Sequence, residues 1–171
     1  MYNTLEEIED QVRLCKKCKL CIERKDISFG IGNCNSKIMF IGEGLCEEDS
    51  ENQSLYGKSN KLMNQAFLGI GINKEEVYIS NIVKCKTNSN PTKVEISACM
   101  DFLRNQVMII KPKIIVLLGN LALKNILGEE FDITKSRGKW VEKKGILYMP
   151  TWHPAALLRD EAKKIDFWKD L

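Results

Sequence analysis

The sequence predicts a three-layer α/β/α domain around a largely parallel sheet. Short apolar runs alternate with stretches of helical periodicity, the pattern of strand–helix–strand units. The run Lys113–Leu118 (KIIVLL) is almost wholly apolar, as a strand buried on both faces must be. The strands also run straight into chemistry-bearing turns: Gly42-Glu43-Gly44, Asn81 to Cys85, and Gly119-Asn120. Open sheets of this class hold ligands at the carboxyl ends of their strands.

The elements follow in order. Residues 3–14 read as a helix capped by Asn3 or Thr4, with Glu6 and Glu7 in its first turn and Leu5, Ile8 and Val12 on one face. It delivers the chain to LCKKCKLC, and residues 26–36, with two glycines and polar turn formers, read as loop. Ser36–Ile41 is a buried strand, 47–54 an exposed loop, and Asn60–Leu68 a helix stopped by Gly69–Asn73. Val77–Val83 is the next strand, and Thr87 to Thr92 is rich in turn formers. Val94–Ile110 has helical periodicity through Ile96, Leu103, Val107 and Ile110. After Lys113–Leu118 come a helix over Leu121–Leu127 and strands at Lys139–Val141 and Ile146–Met149, joined by a turn at Lys144-Gly145. The segment Pro150 to Arg159 (PTWHPAALLR) leads into a last short helix. No internal repeat, low-complexity tract or linker interrupts this pattern.

With 171 residues, 44% hydrophobic and 29% charged, the chain suits one soluble domain spanning 1–171 with a real core. A net charge of +3 permits a polyanionic partner without requiring one. The acidic, amphipathic start MYNTLEEIEDQV lacks the basic and apolar regions of a signal peptide, and no apolar run approaches the ~18 residues of a membrane span. A cytoplasmic location is expected.

In a reducing compartment, seven clustered cysteines point to metal rather than disulfides. Cys15 and Cys18 at x2 spacing, with Cys85 and Cys99 at x13, supply four thiolates. Such a set suits zinc or an iron–sulfur cluster, and the wide second pair fits a cluster better than a zinc ribbon. Cys21, Cys34 and Cys46 are then surplus, and read as buried small hydrophobes. The single histidine, His153, lies in a loop made rigid by Pro150 and Pro154, after a predicted strand. Ala155-Ala156-Leu157-Leu158 followed by Arg159 reads either as a core helix start or as an exposed apolar wedge beside a phosphate-binding base.

Taken together, CKKCKLC, the GEG turn, YISNIVKC, the later Cys99, IIVLLG, SRGKW and TWHPAALLR resemble the iron–sulfur (family 4) uracil-DNA glycosylases in order and spacing over nearly the whole chain. The resemblance implies a four-stranded parallel sheet between helices. It also implies a [4Fe–4S] cluster on Cys15, Cys18, Cys85 and Cys99, with zinc as the alternative metal, and DNA as partner of a monomer. Ala155, Leu157, Leu158 and Arg159 would contact that DNA. The chemistry suits these residues, because breaking an N-glycosidic bond leaves an anionic base and an oxocarbenium-like sugar. Asn81 can read the polar edge of a flipped pyrimidine. His153 can hydrogen-bond the carbonyl oxygen where charge develops, and Glu43 can position water or offset charge on the sugar. No lysine stands out as a Schiff-base nucleophile, so a monofunctional enzyme that leaves an abasic site is expected.

The departures are specific. Leu45 and Cys46 replace the family's Pro-Gly after the GEG turn, whose Gly42 and Gly44 would line the base. The next loop is one residue shorter, so an acidic base contact falls on Glu48 or Asp49. Where the family stacks an aromatic on uracil this chain has Leu55, with Tyr56 adjacent. Losing that stacking would cost ~1–3 kcal/mol. The Pro-Arg-rich stretch usual after Cys85 is thinned to Lys86-Thr87-Asn88. Uracil is the default substrate. A bulkier or modified pyrimidine, for example in viral DNA, and a non-catalytic cluster-carrying nucleic-acid-binding module are the alternatives.

Overall fold

The computed structural model describes residues 2–24, 26–44, 58–86 and 90–171. Helix α1 (Leu5–Leu14) begins at Thr4, whose hydroxyl accepts the Glu7 N–H at 3.2 Å, and it buries Ile8 and Val12. The chain then forms α2 (Leu20–Glu23), β1 (Ile31–Gly32), β2 (Ile38–Gly42), α3 (Lys58–Gly69), β3 (Val77–Asn81) and α4 (Lys93–Ile110). It continues through β4 (Ile114–Leu118), α5 (Asn120–Ile126), α6 (Ile133–Ser136), β5 (Val141–Lys143), β6 (Ile146–Thr151), α7 (Pro154–Arg159) and α8 (Ala162–Asp170). Helix α4 opens with a reciprocal cap: Thr92 accepts from the Glu95 N–H while Glu95 accepts from the Thr92 N–H.

Among the described residues the sheet has six strands in the order β1-β3-β2-β4-β6-β5. The central four are parallel, as expected, whereas β1 and β5 pair antiparallel at the two edges. These edge strands were missed or displaced in the sequence reading because two or three residues carry no usable periodicity. Pro150 is tolerated inside β6 because pairing with β5 ends at Tyr148.

Alternate strand residues separate into the two outer layers. Met39, Ile41, Tyr78, Ile115, Leu117 and Tyr148 face α4 and α5, with α1 packed outside through Ile8, Val12, Phe29 and Phe102. Phe40, Val77, Ile79, Val116, Leu118 and Met149 face α3, α7 and α8. The crossover from β2 runs to β3 on one side, and that from β4 runs to β6 on the other. The strand order therefore reverses between the parallel neighbours β2 and β4, and a crevice opens at their carboxyl ends.

Candidate active site

Glu43 leaves β2 at that crevice, and Gly119 leaves β4 beside it. A methyl group on Gly119 would lie 2.6 Å from Glu43 Oε1 and 3.1 Å from His153 Cβ. Its φ of 92° lies in the left-handed region, so glycine is required there for space and for conformation alike. Leu121 N–H donates to Glu43 Oε1 at 3.3 Å. Burial raises the Glu43 carboxyl above its usual value, opposed by the Leu121 N–H and by the charge of Arg159.

Gly42, the last residue of β2, pairs with Asn81 at the end of β3. A methyl there would lie 2.6 Å from Asn81 Oδ1 and 3.8 Å from His153 Nε2. The Asn81 side chain is buried, and its Nδ2 donates to Ser28 Oγ at 2.9 Å. His153 follows β6 and caps α7, with Nδ1 accepting the Ala155 N–H at 3.2 Å. A ring nitrogen that accepts a backbone N–H carries no proton, so in the neutral ring the hydrogen sits on Nε2, toward Gly42 and Asn81. Burial, helped by Arg159, holds the His153 pKa down to about 4. A carboxylate, an amide and a neutral imidazole donor thus meet over Gly42 and Gly119.

The four nominated cysteines gather beside the same strand. Cys85 and Cys99 are buried and Cys15 and Cys18 are half-buried. Cys18 and Cys15 act electrostatically on Cys85, and Cys85 and Cys18 on Cys99. Burial raises the thiols of Cys18 and Cys85, and takes that of Cys99 to about 11. Each receives a donor: Leu20 N–H at Cys18, Lys84 N–H at Cys99, and Arg24 Nη1 at Cys85 over 3.6 Å. Arg24 Nη1 also donates to Val12 O at 2.8 Å, and its Nη2 donates to Arg13 O, tying the end of α1 to Cys85. Lys17, between Cys15 and Cys18, lies 4.9 Å over the Phe102 ring of α4. Among the described residues no group of three or more His, Cys, Asp or Glu is close enough to hold one metal ion.

The family model described as "Uracil DNA glycosylase superfamily" matches residues 29–171. The chain belongs to this superfamily. A protein named type-4 uracil-DNA glycosylase from Sulfurisphaera tokodaii is 44% identical over 91% of this chain and 76% of its own length. Proteins of the same name from Thermotoga maritima (37%; 94% and 86%) and Saccharolobus solfataricus (39%; 91% and 78%) are similar over comparable spans.

Gly44 lies just beyond Glu43, and among the described residues a methyl there would meet only Val83 Cβ, at 3.8 Å. Leu45, Cys46, Glu48, Asp49, Leu55, Tyr56, Thr87 and Asn88 lie outside the described residues. Leu157 is fully buried in the core against α3, so it cannot form a wedge, whereas Leu158 is 43% exposed. Ala155 is half-buried and Arg159 exposed, the latter near enough to act on both Glu43 and His153. Cys34 is exposed rather than buried, and Cys21 sits beside Cys18. Among the described residues, no helix is long and apolar enough to cross a membrane.

Sequence reasoning missed Ser28, Arg24 and Gln106, whose value lies in contacts many residues away. Gly119 carried a signal: a glycine ending a fully apolar strand marks the place where something approaches the backbone closely.

Proposed function

We propose that this DNA glycosylase excises uracil from DNA by hydrolysis, as one 1–171 domain acting as a monomer, and leaves an abasic site. The supporting observation is the meeting over Gly42, where one added methyl would touch both Asn81 and His153. The names of the relatives favour uracil over a bulkier pyrimidine, and over a module that only binds.

The Asn81 amide offers an acceptor and a donor, which match the imide N–H and adjacent carbonyl of a flipped uracil. Cytosine reverses both groups and is rejected, because buried polar atoms would be left mismatched. As the N-glycosidic bond breaks, its electron pair passes to the base and spreads onto the carbonyl oxygens. His153 Nε2–H donates to the oxygen where that charge collects. Glu43, ionised, faces the cationic sugar and orients the water whose oxygen bonds to the anomeric carbon. Its raised pKa makes it a competent acceptor of the water proton. Lys84, fully buried, is out of reach of the sugar, in keeping with a monofunctional enzyme. Leu158 and Arg159 face the DNA, Arg159 as a phosphate contact.

Cys15, Cys18, Cys85 and Cys99 would hold a [4Fe–4S] cluster, whose contribution is to pin two distant loops. The donor set fits: four soft sulfur atoms, three of them met by N–H groups of the kind that stabilise a cluster's sulfurs. Zinc, held by the same four thiolates, is the alternative metal.

The test is incubation with oligonucleotides carrying uracil, cytosine or bulkier pyrimidines, followed by alkaline cleavage at abasic sites. Cleavage at uracil that disappears in Asn81→Ala and His153→Ala is expected. Product only from a bulkier base refutes the uracil assignment. DNA binding without base release, indifferent to His153→Ala, refutes catalysis.

A further inference from the structure

A lysine with no access to solvent stands between the cysteine cradle and the amide. Lys84 is 0% exposed, and its Nζ donates to Ser80 Oγ at 2.6 Å, Asn81 O at 2.7 Å and Gln106 Oε1 at 2.6 Å, with Phe29 O at 3.4 Å. Three close acceptors match the three hydrogens of an ammonium group. Taking a lysine out of water is costly, and hydrophobic residues of similar volume fill such places as well or better. The geometry shows what this one does that an apolar side chain cannot.

Its three close acceptors lie on two elements, and the fourth lies on a third. Ser80 and Asn81 end β3. Gln106 lies on α4, two turns beyond Cys99, and its Nε2 donates to Phe29 O at 2.9 Å. Phe29 is adjacent to Ser28, whose hydroxyl accepts from the Asn81 amide. Ser80 Oγ lies 2.9 Å from Gln106 Oε1 and 3.2 Å from Phe29 O, which closes the cycle. The backbone N–H of Lys84 meanwhile points at Cys99, and its peptide neighbour is Cys85. Asn81 is therefore held from two directions, by its carbonyl directly and by its amide through Ser28, and Lys84 governs both.

We infer that Lys84 is the positioning residue for uracil recognition: it clamps the end of β3, helix α4 and the Ser28–Phe29 segment so that the Asn81 amide is presented to the base in one orientation. This rests on the reading of Asn81 as the base-reading group. Lys84 touches no substrate. It acts through Asn81, and it makes the geometry of the amide depend on the arms that carry the cysteines. Buried polar networks of this kind rigidify when every member is satisfied.

The test is a double-mutant cycle on the iron-loaded enzyme, with Lys84→Met, Asn81→Ala and their combination. The measurements are single-turnover uracil excision, inhibition by free uracil, iron content and visible absorbance. Lys84→Met takes the ammonium donor away from Gln106 Oε1 and Asn81 O, so a second variant, Lys84→Met with Gln106→Met, removes both polar side chains at similar volume and preserves packing. In either variant with normal iron and spectrum, excision falls about a hundredfold, the loss expected from misplacing a recognition group by about 1 Å. Inhibition by free uracil weakens in parallel. In the Asn81→Ala background the same changes cost less than about threefold, because the residue they act through is already gone. An equal loss in both backgrounds, or no loss in the wild-type background, overturns the inference. Loss of iron from both variants also overturns it, since Lys84 would then serve the cradle. Wild-type excision by Asn81→Ala alone refutes the role of Asn81, and this inference with it. A normal response to Asn81→Ala with additive losses refutes the inference only.

Discussion

Gly42→Ala is the most discriminating single change. Gly42 has no positive φ, so alanine brings no backbone strain, and its carbonyl keeps the Ile82 N–H at 3.0 Å. The added methyl lies 2.6 Å from Asn81 Oδ1, and ordinary contact begins near 3.4 Å, so the amide must recede by about 0.8 Å. The backbone of Asn81 is fixed by the Gly42–Asn81 pairing and by Lys84, which leaves its side chain to move. A recognition group displaced by that much loses up to about a hundredfold in rate. Overpacking by a single methyl costs the fold about 1–3 kcal/mol. The expected result is folded protein with unchanged visible absorbance, a melting temperature lower by no more than roughly 12 °C, and single-turnover excision reduced about a hundredfold. A wild-type rate from folded Gly42→Ala would show that Asn81 does not face the base across Gly42, and the proposed pocket would fall.

Three further outcomes follow from the same geometry. In the folded protein His153 resists protonation down to about pH 4, while the unfolded chain takes up that proton near its ordinary value of 6.5. Stability from this residue is therefore intact above about pH 6.5 and falls, by up to ~3 kcal/mol, as the pH drops toward 4. Urea unfolding of wild type and His153→Gln at pH 7 and pH 4.5 should show a shallower decline in the variant, and parallel declines would refute the burial argument. Arg24→Gln removes the charged donor to Cys85 Sγ and should speed iron loss to a chelator about tenfold, an effect typical of groups behind a metal ligand; an unchanged rate of loss would separate Arg24 from the cradle. Asp170 accepts from Arg137 Nε at 3.0 Å and Nη2 at 2.6 Å and from Thr151 Oγ1 at 2.7 Å, so Asp170→Ala takes the nearest anion from a partly buried guanidinium and leaves it only Asp166, whose carboxylate lies 3.5 Å away and whose carbonyl accepts at 2.8 Å. A loss of about 3 kcal/mol in denaturant unfolding is expected, and less than 1 kcal/mol would contradict it.

The sheet was legible because its strands carry their own signal. Lys113–Leu118 could be little else, and Val77 onward runs apolar into Asn81 as a parallel strand must. The edges were not legible, since Ile31–Gly32 and Val141–Lys143 become strands only because Tyr78 and Tyr148 offer pairing partners. At the site, Glu43, Asn81 and His153 were visible from their positions after three different strands, which topology brings to one edge. Leu157 was misread because in PAALLR both leucines look alike; which one faces α3 is decided by the phase of α7. The burial of Lys84 depends on Gln106 and Phe29, neither of which announces itself in the sequence as a partner.

The neutrality of His153 bears on how the proposed reaction discriminates between ground and transition states. An imidazolium would pair with the departing base as a full ion pair and would hold the released anion as product. Half-buried and near Arg159, it would also be disfavoured in its own right. A neutral Nε2–H, fixed by the Ala155 N–H on the opposite nitrogen, would in the proposed reaction make an ordinary hydrogen bond to the carbonyl of the intact substrate. That bond strengthens only as the glycosidic electrons arrive on the oxygen, since bonds to charged acceptors are roughly twice as strong as neutral ones. Stabilisation that grows with the developing charge lowers the barrier without tightening the substrate complex. The depressed pKa of His153 is thus a consequence of its burial and, at the same time, the condition under which that burial helps the chemistry.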